Sequence, residues 1–325
     1  MAISVSHLVK HYRIHKKEPG FLGSVSSLLS PHYEQVSAVE DISFSIDEGE
    51  LVGFIGPNGA GKTTTLKCLT GLLYPTSGSI DILGYIPYER KTPYLKSITL
   101  VMGQKNQLWW DLPAADTFLL NKEIYEIPDV QYKKTLAEYV ELMEVENLIN
   151  VQVRKLSLGE RMKMELIAAL LHKPKILFLD EPTIGLDVVM QKKIRDFIRI
   201  YNKQNRSTVL LTTHYMEDVR QLASRIIIID HGKLLYDGKL DKLVKQYASY
   251  KILSIILGSY IHPDAFKEIG DLVDYNFPRA IVRVPRGGSN MAAAQLLQKF
   301  PVEDLNIEEP NIEDIVRDIF TKIQK

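Results

Sequence analysis

The residues best suited to chemistry form one run, Gly56, Pro57, Asn58, Gly59, Ala60, Gly61, Lys62 and Thr63, with Thr64 directly behind. The spacing fits G-x-x-x-x-G-K-[ST], after the apolar run Leu51–Ile55 and before a helical pattern. Glycines let a backbone turn tightly, and amides at a helix N-terminus point at negative charge, so the expected ligand is a polyphosphate. Lys62 supplies a point charge to the β and γ phosphates, and the Thr63 hydroxyl a ligand for Mg²⁺. A second candidate is Ile176–Leu179 followed by Asp180 and Glu181. An acidic residue at the carboxyl end of a buried strand sits where open α/β sheets bind ligands. Asp180 is placed to hold Mg²⁺ and Glu181 to orient a water. A pair of helix-capping acids is the rival, since Pro182 and Thr183 start a turn.

These residues need a scaffold, and the apolar pattern supplies one. Leu51–Ile55, Ile176–Leu179, Thr208–Thr212 and Ile226–Ile229 are consecutive apolar runs, which predict buried strands. Lys62–Leu73, Glu160–Leu171 and Gln191–Gln204 have helical spacing. Strands alternating with helices predict a mostly parallel α/β core. Pro113–Val153 reads as helical throughout, an insertion into that core. After residue 238 the order becomes strand, helix, hairpin, helix, strand, with Ile312–Ile323 as a final amphipathic helix. That βαββαβ order suggests a separate ferredoxin-like α+β module.

More than twenty residues separate the expected strands Val5–Tyr12 and Val39–Ile46. Hairpin loops usually hold about 2–5 residues, so the 14–36 stretch is either a surface loop or a basic-amphipathic contact with a membrane or partner. The adjacent Trp109 and Trp110 face different ways on any regular element. One is expected to pack in the helical insertion and the other to line a groove for a partner's helix.

The 325 residues carry 40 basic and 40 acidic side chains, so a basic nucleic-acid surface is not expected. A single cysteine, Cys68, excludes an internal disulfide framework, fits a reducing cytoplasm, and is expected to be a buried apolar filler. No run approaches the about 18 apolar residues of a membrane helix, and MAISVSHLVKHY lacks a signal-peptide core.

Leu156-Ser157-Leu158-Gly159-Glu160-Arg161-Met162-Lys163 resembles the LSGGQ signature of ABC-type ATPases, a short interval before Asp180-Glu181. Tyr12 stands where that family has an adenine-stacking aromatic, although by itself it could be a core tyrosine. Gln104 matches the Q-loop glutamine, with Gln107 as its rival. Gly185-Leu186-Asp187 looks like the D-loop, and His214 like the switch histidine, although alone it would be an ordinary strand-end residue.

The resemblance covers residues 1–237. It implies an ABC-type P-loop ATPase domain, with a helical subdomain at roughly 105–170 and an unusual insertion at 14–36. Residues 238–325 would be an accessory or regulatory domain. Catalysis would fall to Glu181, His214, Gln104 and Lys62, and metal binding to Thr63, Gln104 and Asp180. Ser157 and Gly159 would contact the nucleotide held by a second copy, and Glu160 and Asp187 would count among the nucleotide-binding residues, with Glu160 able to face the partner subunit.

The signature departs from the pattern at Leu158, where glycine is usual, and at Glu160, where glutamine is usual; the site is expected to work with altered dimer affinity. The insertion, Gln107–Pro113 and Glu309–Asp314 look most like subunits paired with ABC-2-type exporter permeases of the drug/daunorubicin-resistance kind. The implied function is an ATPase that dimerises around two Mg-ATP and powers a polytopic permease from the cytoplasmic face of the membrane. The alternative is a soluble ATPase of this type acting on ribosomes or nucleic acid. Zero net charge, one ATPase domain and no long charged linker stand against it. In a third reading the tail senses a small ligand.

Overall fold

The computed structural model describes residues 1–15 and 33–323. The chain divides into two compact units, Met1–Asp237 and Gly238–Lys325.

The first unit is built on strands β1 (Ile3–His15), β2 (Tyr33–Ile46), β3 (Leu51–Ile55), β4 (Ser77–Ile82), β5 (Ile98–Met102), β6 (Ile176–Asp180), β7 (Thr208–Thr213), β8 (Arg225–Asp230) and β9 (Lys233–Lys239). Six of them form one sheet in the order β5-β6-β7-β3-β8-β9, and its pairs from β5 to β8 are parallel. β3 and β7 are buried along their whole length, which explains why their apolar residues run consecutively. A smaller antiparallel sheet, β2-β1-β4, carries alternating apolar residues such as Ile42, Phe44 and Ile46 into the shared core.

Helices α1 (Lys62–Leu69), α2 (Thr92–Ser97), α3 (Ala114–Ile124), α4 (Asp129–Met143), α5 (Leu158–Leu170), α6 (Val188–Asn205) and α7 (Met216–Leu222) complete this unit. Of these, α3 to α5 make the helical part expected from the sequence, starting at Ala114 after an irregular stretch. Cys68 on α1 is fully buried, and burial pushes its thiol up to about 11. It packs as an apolar filler.

Two expectations need correction. The 14–36 insertion is shorter than expected, because β1 and β2 stay paired as far as His15 opposite Tyr33. What remains of it, residues 16–32, lies outside the described residues. Trp109 and Trp110 are 53% and 49% exposed, so neither packs as a core residue. The preceding Leu108 takes the buried position, and Arg161 lies 5.8 Å from the Trp110 ring.

The second unit has helix α8 (Leu240–Tyr247), strands β10 (Tyr250–Leu257), β11 (Asp271–Asn276), β12 (Arg279–Pro285) and β13 (Val302–Glu308), and helices α9 (Ser289–Lys299) and α10 (Ile312–Ile323). The sheet runs β11-β12-β10-β13, all antiparallel. The first expected helix is a 3-10 segment, Pro263–Glu268. Leu253, Ile255 and Leu257 of β10 bury with Phe266, Val282 and Leu296 on one face.

Candidate nucleotide site

The register of the parallel sheet decides what can meet at its carboxyl edge. Met102, Asp180 and Thr212 lie level across β5, β6 and β7, and Ile55 of β3 lies beside Thr213. The segments leaving those strands carry Gly56–Lys62, Gln104, Glu181 and His214. Residues far apart in sequence are thus delivered to one edge.

Two glycines in the first segment have specific reasons. A Cβ on Gly56 would stand 2.3 Å from the carbonyl oxygen of Ile229. Gly61, at φ +103°, caps α1 in the left-handed region, and its Cβ would stand 2.4 Å from the Ala38 carbonyl oxygen. A side chain at either position would push the loop off the core. The Lys62 ammonium donates to the carbonyls of Gly56 at 2.7 Å and Pro57 at 3.1 Å. Burial lowers its pKa, and the charges of Glu181 and Asp180 oppose that shift.

Asp180 is held on both oxygens. Thr63 Oγ1 donates to Oδ2 at 2.9 Å, and Thr212 Oγ1 donates to Oδ1 at 2.6 Å. Next to it, the Glu181 carboxylate accepts Gln104 Nε2 on Oε2 at 3.0 Å, and Oε1 lies 3.3 Å from His214 Nδ1. Glu181 is a non-glycine residue at φ +54°, and its amide donates to both oxygens of Thr212, at 3.0 Å and 3.2 Å. A cavity of about 290 Å³ opens here, lined by Asn58, Gly59, Gly61–Thr64, Gln104, Asp180 and Glu181 among others. Gln107 faces elsewhere: its side chain donates to the Leu100 carbonyl.

The structure therefore gathers the loop, Gln104, Asp180 and Glu181, with His214 against Glu181. It does not bring Tyr12, Ser157, Gly159, Glu160 or Asp187 to the lining of this cavity. Tyr12 is half-buried on β1, with the Lys10 ammonium 5.4 Å from its ring centre.

Ser157 and Glu160 form a capping box at the start of α5. Glu160 Oε2 accepts the Ser157 amide and hydroxyl, each at 2.8 Å. Leu158, where the family pattern has glycine, packs towards Gly185, whose Cβ would stand 3.0 Å from Leu158 Cδ2. Asp187 caps α6 by accepting the Met190 amide at 2.9 Å.

Two contributors escape a reading of motifs. Gly103 must lack a side chain, because its Cβ would stand 2.0 Å from the Glu181 carbonyl oxygen. Thr212 holds both Asp180 and the Glu181 amide. The adjacency of Gly103 to Gln104 was a usable signal; for Thr212 the sequence offered none.

A metal ion has a limited set of donors here. Among the described residues, no group of three or more His, Cys, Asp or Glu side chains is arranged to hold one. The Thr63 hydroxyl and Asp180 carboxylate are hard oxygen ligands side by side. Such a pair fits Mg²⁺, which is usually bound by one or two carboxylates together with substrate phosphates.

A phosphate loop at the carboxyl edge of a parallel sheet, facing an acidic pair, with helices inserted after β5, defines an ABC-type P-loop ATPase. The ABC transporter family profile matches residues 39–184, and that of the EvrA-like ABC transporter C-terminal domain matches 249–308. The chain is 33% identical over 222 residues to the bacitracin transport ATP-binding protein BcrA of Bacillus licheniformis, covering 68% of this chain and 71% of that protein. To the Nod factor export ATP-binding protein I of Burkholderia orbicola it is 31% identical over 223 residues, 69% of this chain and 73% of that one. A dimeric ATP-binding cassette in a post-hydrolysis state, bound to ADP and phosphate, superposes with a TM-score of 0.60 at 25% identity, over 73% of this chain and 98% of that one. The chain belongs to the ABC transporter family and is an ATP-binding, ATP-hydrolysing subunit of it.

Proposed function

We propose that two copies of this chain close head-to-tail around two Mg-ATP and that this cycle drives a separate membrane permease in export. One observation carries the reading. The carboxylate of Glu181 is aimed by Gln104 and His214 beside the phosphate loop, while Ser157 and Gly159 do not line that cavity. A site so divided is completed by the signature of a second copy. Leu158, Val188 and Val189, at 36%, 76% and 77% exposure, provide apolar surface near Ser157 and Asp187 for that contact.

Within the site each residue has a part. Lys62, now bonded to the loop carbonyls, redirects its ammonium to the phosphates. Thr63 and Asp180 hold Mg²⁺, with Gln104 nearby, and the ion supplies charge neutralisation on the phosphate oxygens. Glu181 accepts a proton from water or orients it, His214 and Gln104 fix its carboxylate, and the loop amides meet the developing charge. Tyr12, which lies outside the cavity lining, is the ring this reading assigns to the adenine.

No helix among the described residues is long and apolar enough to cross a membrane. In this reading the membrane partner is a separate polytopic permease, at whose cytoplasmic face this subunit acts peripherally. A groove of about 520 Å³, lined by Leu72, Leu95, Leu100, Leu108, Ile124 and Glu165 among others, suits an inserted helix of that permease. Bacitracin transport and Nod factor export, in the names of the relatives, support export over action on ribosome or nucleic acid. The 238–325 unit is an accessory or regulatory domain in this reading.

The test is Glu181→Gln, which keeps shape but removes the base. General-base catalysis contributes about 10²–10⁴-fold, so phosphate release should fall by that order while a dimer accumulates with Mg-ATP and not with ADP. Lys62→Ala should lose nucleotide affinity and show no such dimer. Wild-type-like turnover in Glu181→Gln removes Glu181 from catalysis.

A further inference from the structure

Asp218 on α7 is fully buried, and its carboxylate accepts hydrogen bonds from three other elements. Oδ1 takes Arg195 Nη1 of α6 at 2.8 Å. Oδ2 takes the hydroxyls of Thr183 at 2.5 Å and Thr213 at 3.0 Å. Thr183 lies two residues after Glu181, and Thr213 directly precedes His214. On the far side of His214, the Tyr215 amide donates to the same Thr213 hydroxyl at 3.0 Å. One carboxylate therefore pins the backbone beside both members of the Glu181–His214 pair.

That pinning meets a visible need. Glu181 sits at φ +54°, a conformation that a non-glycine residue keeps only when its surroundings enforce it. Without an anchor at Thr183 the turn after β6 could relax and swing the carboxylate away from His214. The ion pair itself is costly, since Arg195 is 3% exposed and apolar residues often stabilise such a place as well or better. Fixed geometry is a reason to keep it.

We infer that Asp218, held by Arg195, is a positioning residue for ATP hydrolysis, which locks Glu181 and His214 in mutual reach through the Thr183 and Thr213 hydroxyls. The inference rests on the reading of Glu181 and His214 as hydrolysis residues.

Removing Asp218 itself would strand a buried arginine, so the test uses milder changes in the full chain. Thr183→Val and Thr213→Val each delete one hydroxyl and keep the shape, and Asp218 Oδ2 retains the other donor. With Mg-ATP and phosphate release as readout, kcat should fall about tenfold or more in each, with KM for ATP within about twofold. Thr183→Ser and Thr213→Ser should return kcat to within about threefold of wild type. If one valine variant does not fold, the other and its serine counterpart decide the outcome. If neither folds, the network serves folding and the inference fails.

It also fails if kcat is unchanged in the valine variants, if serine does not restore it, or if the loss appears in KM. Glu181→Gln separates the two levels. Lost turnover there with active valine variants overturns only the role of Asp218, whereas intact turnover there overturns the reading beneath it.

Discussion

The Ser157 hydroxyl donates to the Glu160 carboxylate at 2.8 Å, and the Glu160 amide donates back to that hydroxyl oxygen at 3.3 Å. In this form the serine proton is spent within the signature, and a negative charge stands at the N-terminus of α5. A helix N-terminus favours anions, and there the carboxylate competes with the phosphate expected from a second copy.

Glu160→Gln should therefore strengthen the ATP-dependent dimer. Glutamine also completes a capping box, so the helix start is preserved while the charge is removed. A charge at a helix end is worth about 0.3–1 kcal/mol, or up to roughly fivefold in affinity. Light scattering against ATP concentration, in a Glu181→Gln background, measures it. A weaker dimer would mean that the carboxylate assists closure.

Gly103→Ala should cost both turnover and stability. Its methyl would stand 2.0 Å from the Glu181 carbonyl oxygen and 3.1 Å from Ile184, so the turn carrying Glu181 or the segment carrying Gln104 must move. A displacement of about 1 Å at such a site costs on the order of 10²-fold in rate. Phosphate release should drop by that order, and the melting temperature should fall as well, because the clash is with backbone. Full activity would show that the Gln104–Glu181 contact is dispensable.

Glu165 makes stability depend on pH. It is 2% exposed at the floor of the 520 Å³ groove, and burial pushes its carboxyl up to about 7, against the Gln107 amide and the Arg161 charge. A raised carboxyl stabilises the fold below its unfolded pKa, and that contribution is lost as pH rises through the folded value. His172 acts in the opposite sense, because burial lowers its pKa to about 4 and its contribution is lost as pH falls through that value. Comparing Glu165→Gln with wild type cancels the His172 effect. The melting temperature of Glu165→Gln relative to wild type should climb from pH 5 to pH 8. A constant difference would place the carboxylate in contact with water.

The tail should be separable from nucleotide binding. The loop, Gln104, Asp180, Glu181 and His214 all belong to the Met1–Asp237 unit. A chain ending at Asp237 should bind ATP with near-wild-type affinity by fluorescence titration. Loss of binding by a folded truncation would move the functional boundary into the second unit.

The two half-exposed tryptophans test the groove. Trp109→Ala and Trp110→Ala, each purified with the permease, should reduce its recovery if the helix docks beside Leu108. Unchanged recovery with both would move the docking surface elsewhere.

The sequence by itself determined what is local. Gly56–Thr63 and Ile176–Glu181 are legible because a phosphate loop and a strand-end acid each work through a few consecutive residues, next to the strand that presents them. The α/β alternation is legible for the same reason: a strand buried on both faces must be apolar at every position. The tertiary structure decided everything that depends on register. It set Gln104 rather than Gln107 against Glu181, because β5 pairs with β6 with Met102 beside Asp180. It recruited Gly103 by the closeness of one carbonyl, and Thr212 by the neighbouring strand. Arg195 and Asp218 lie 23 residues apart and pair across two helices. No spacing rule joins such residues, since their meeting is fixed by how the helices pack on the sheet.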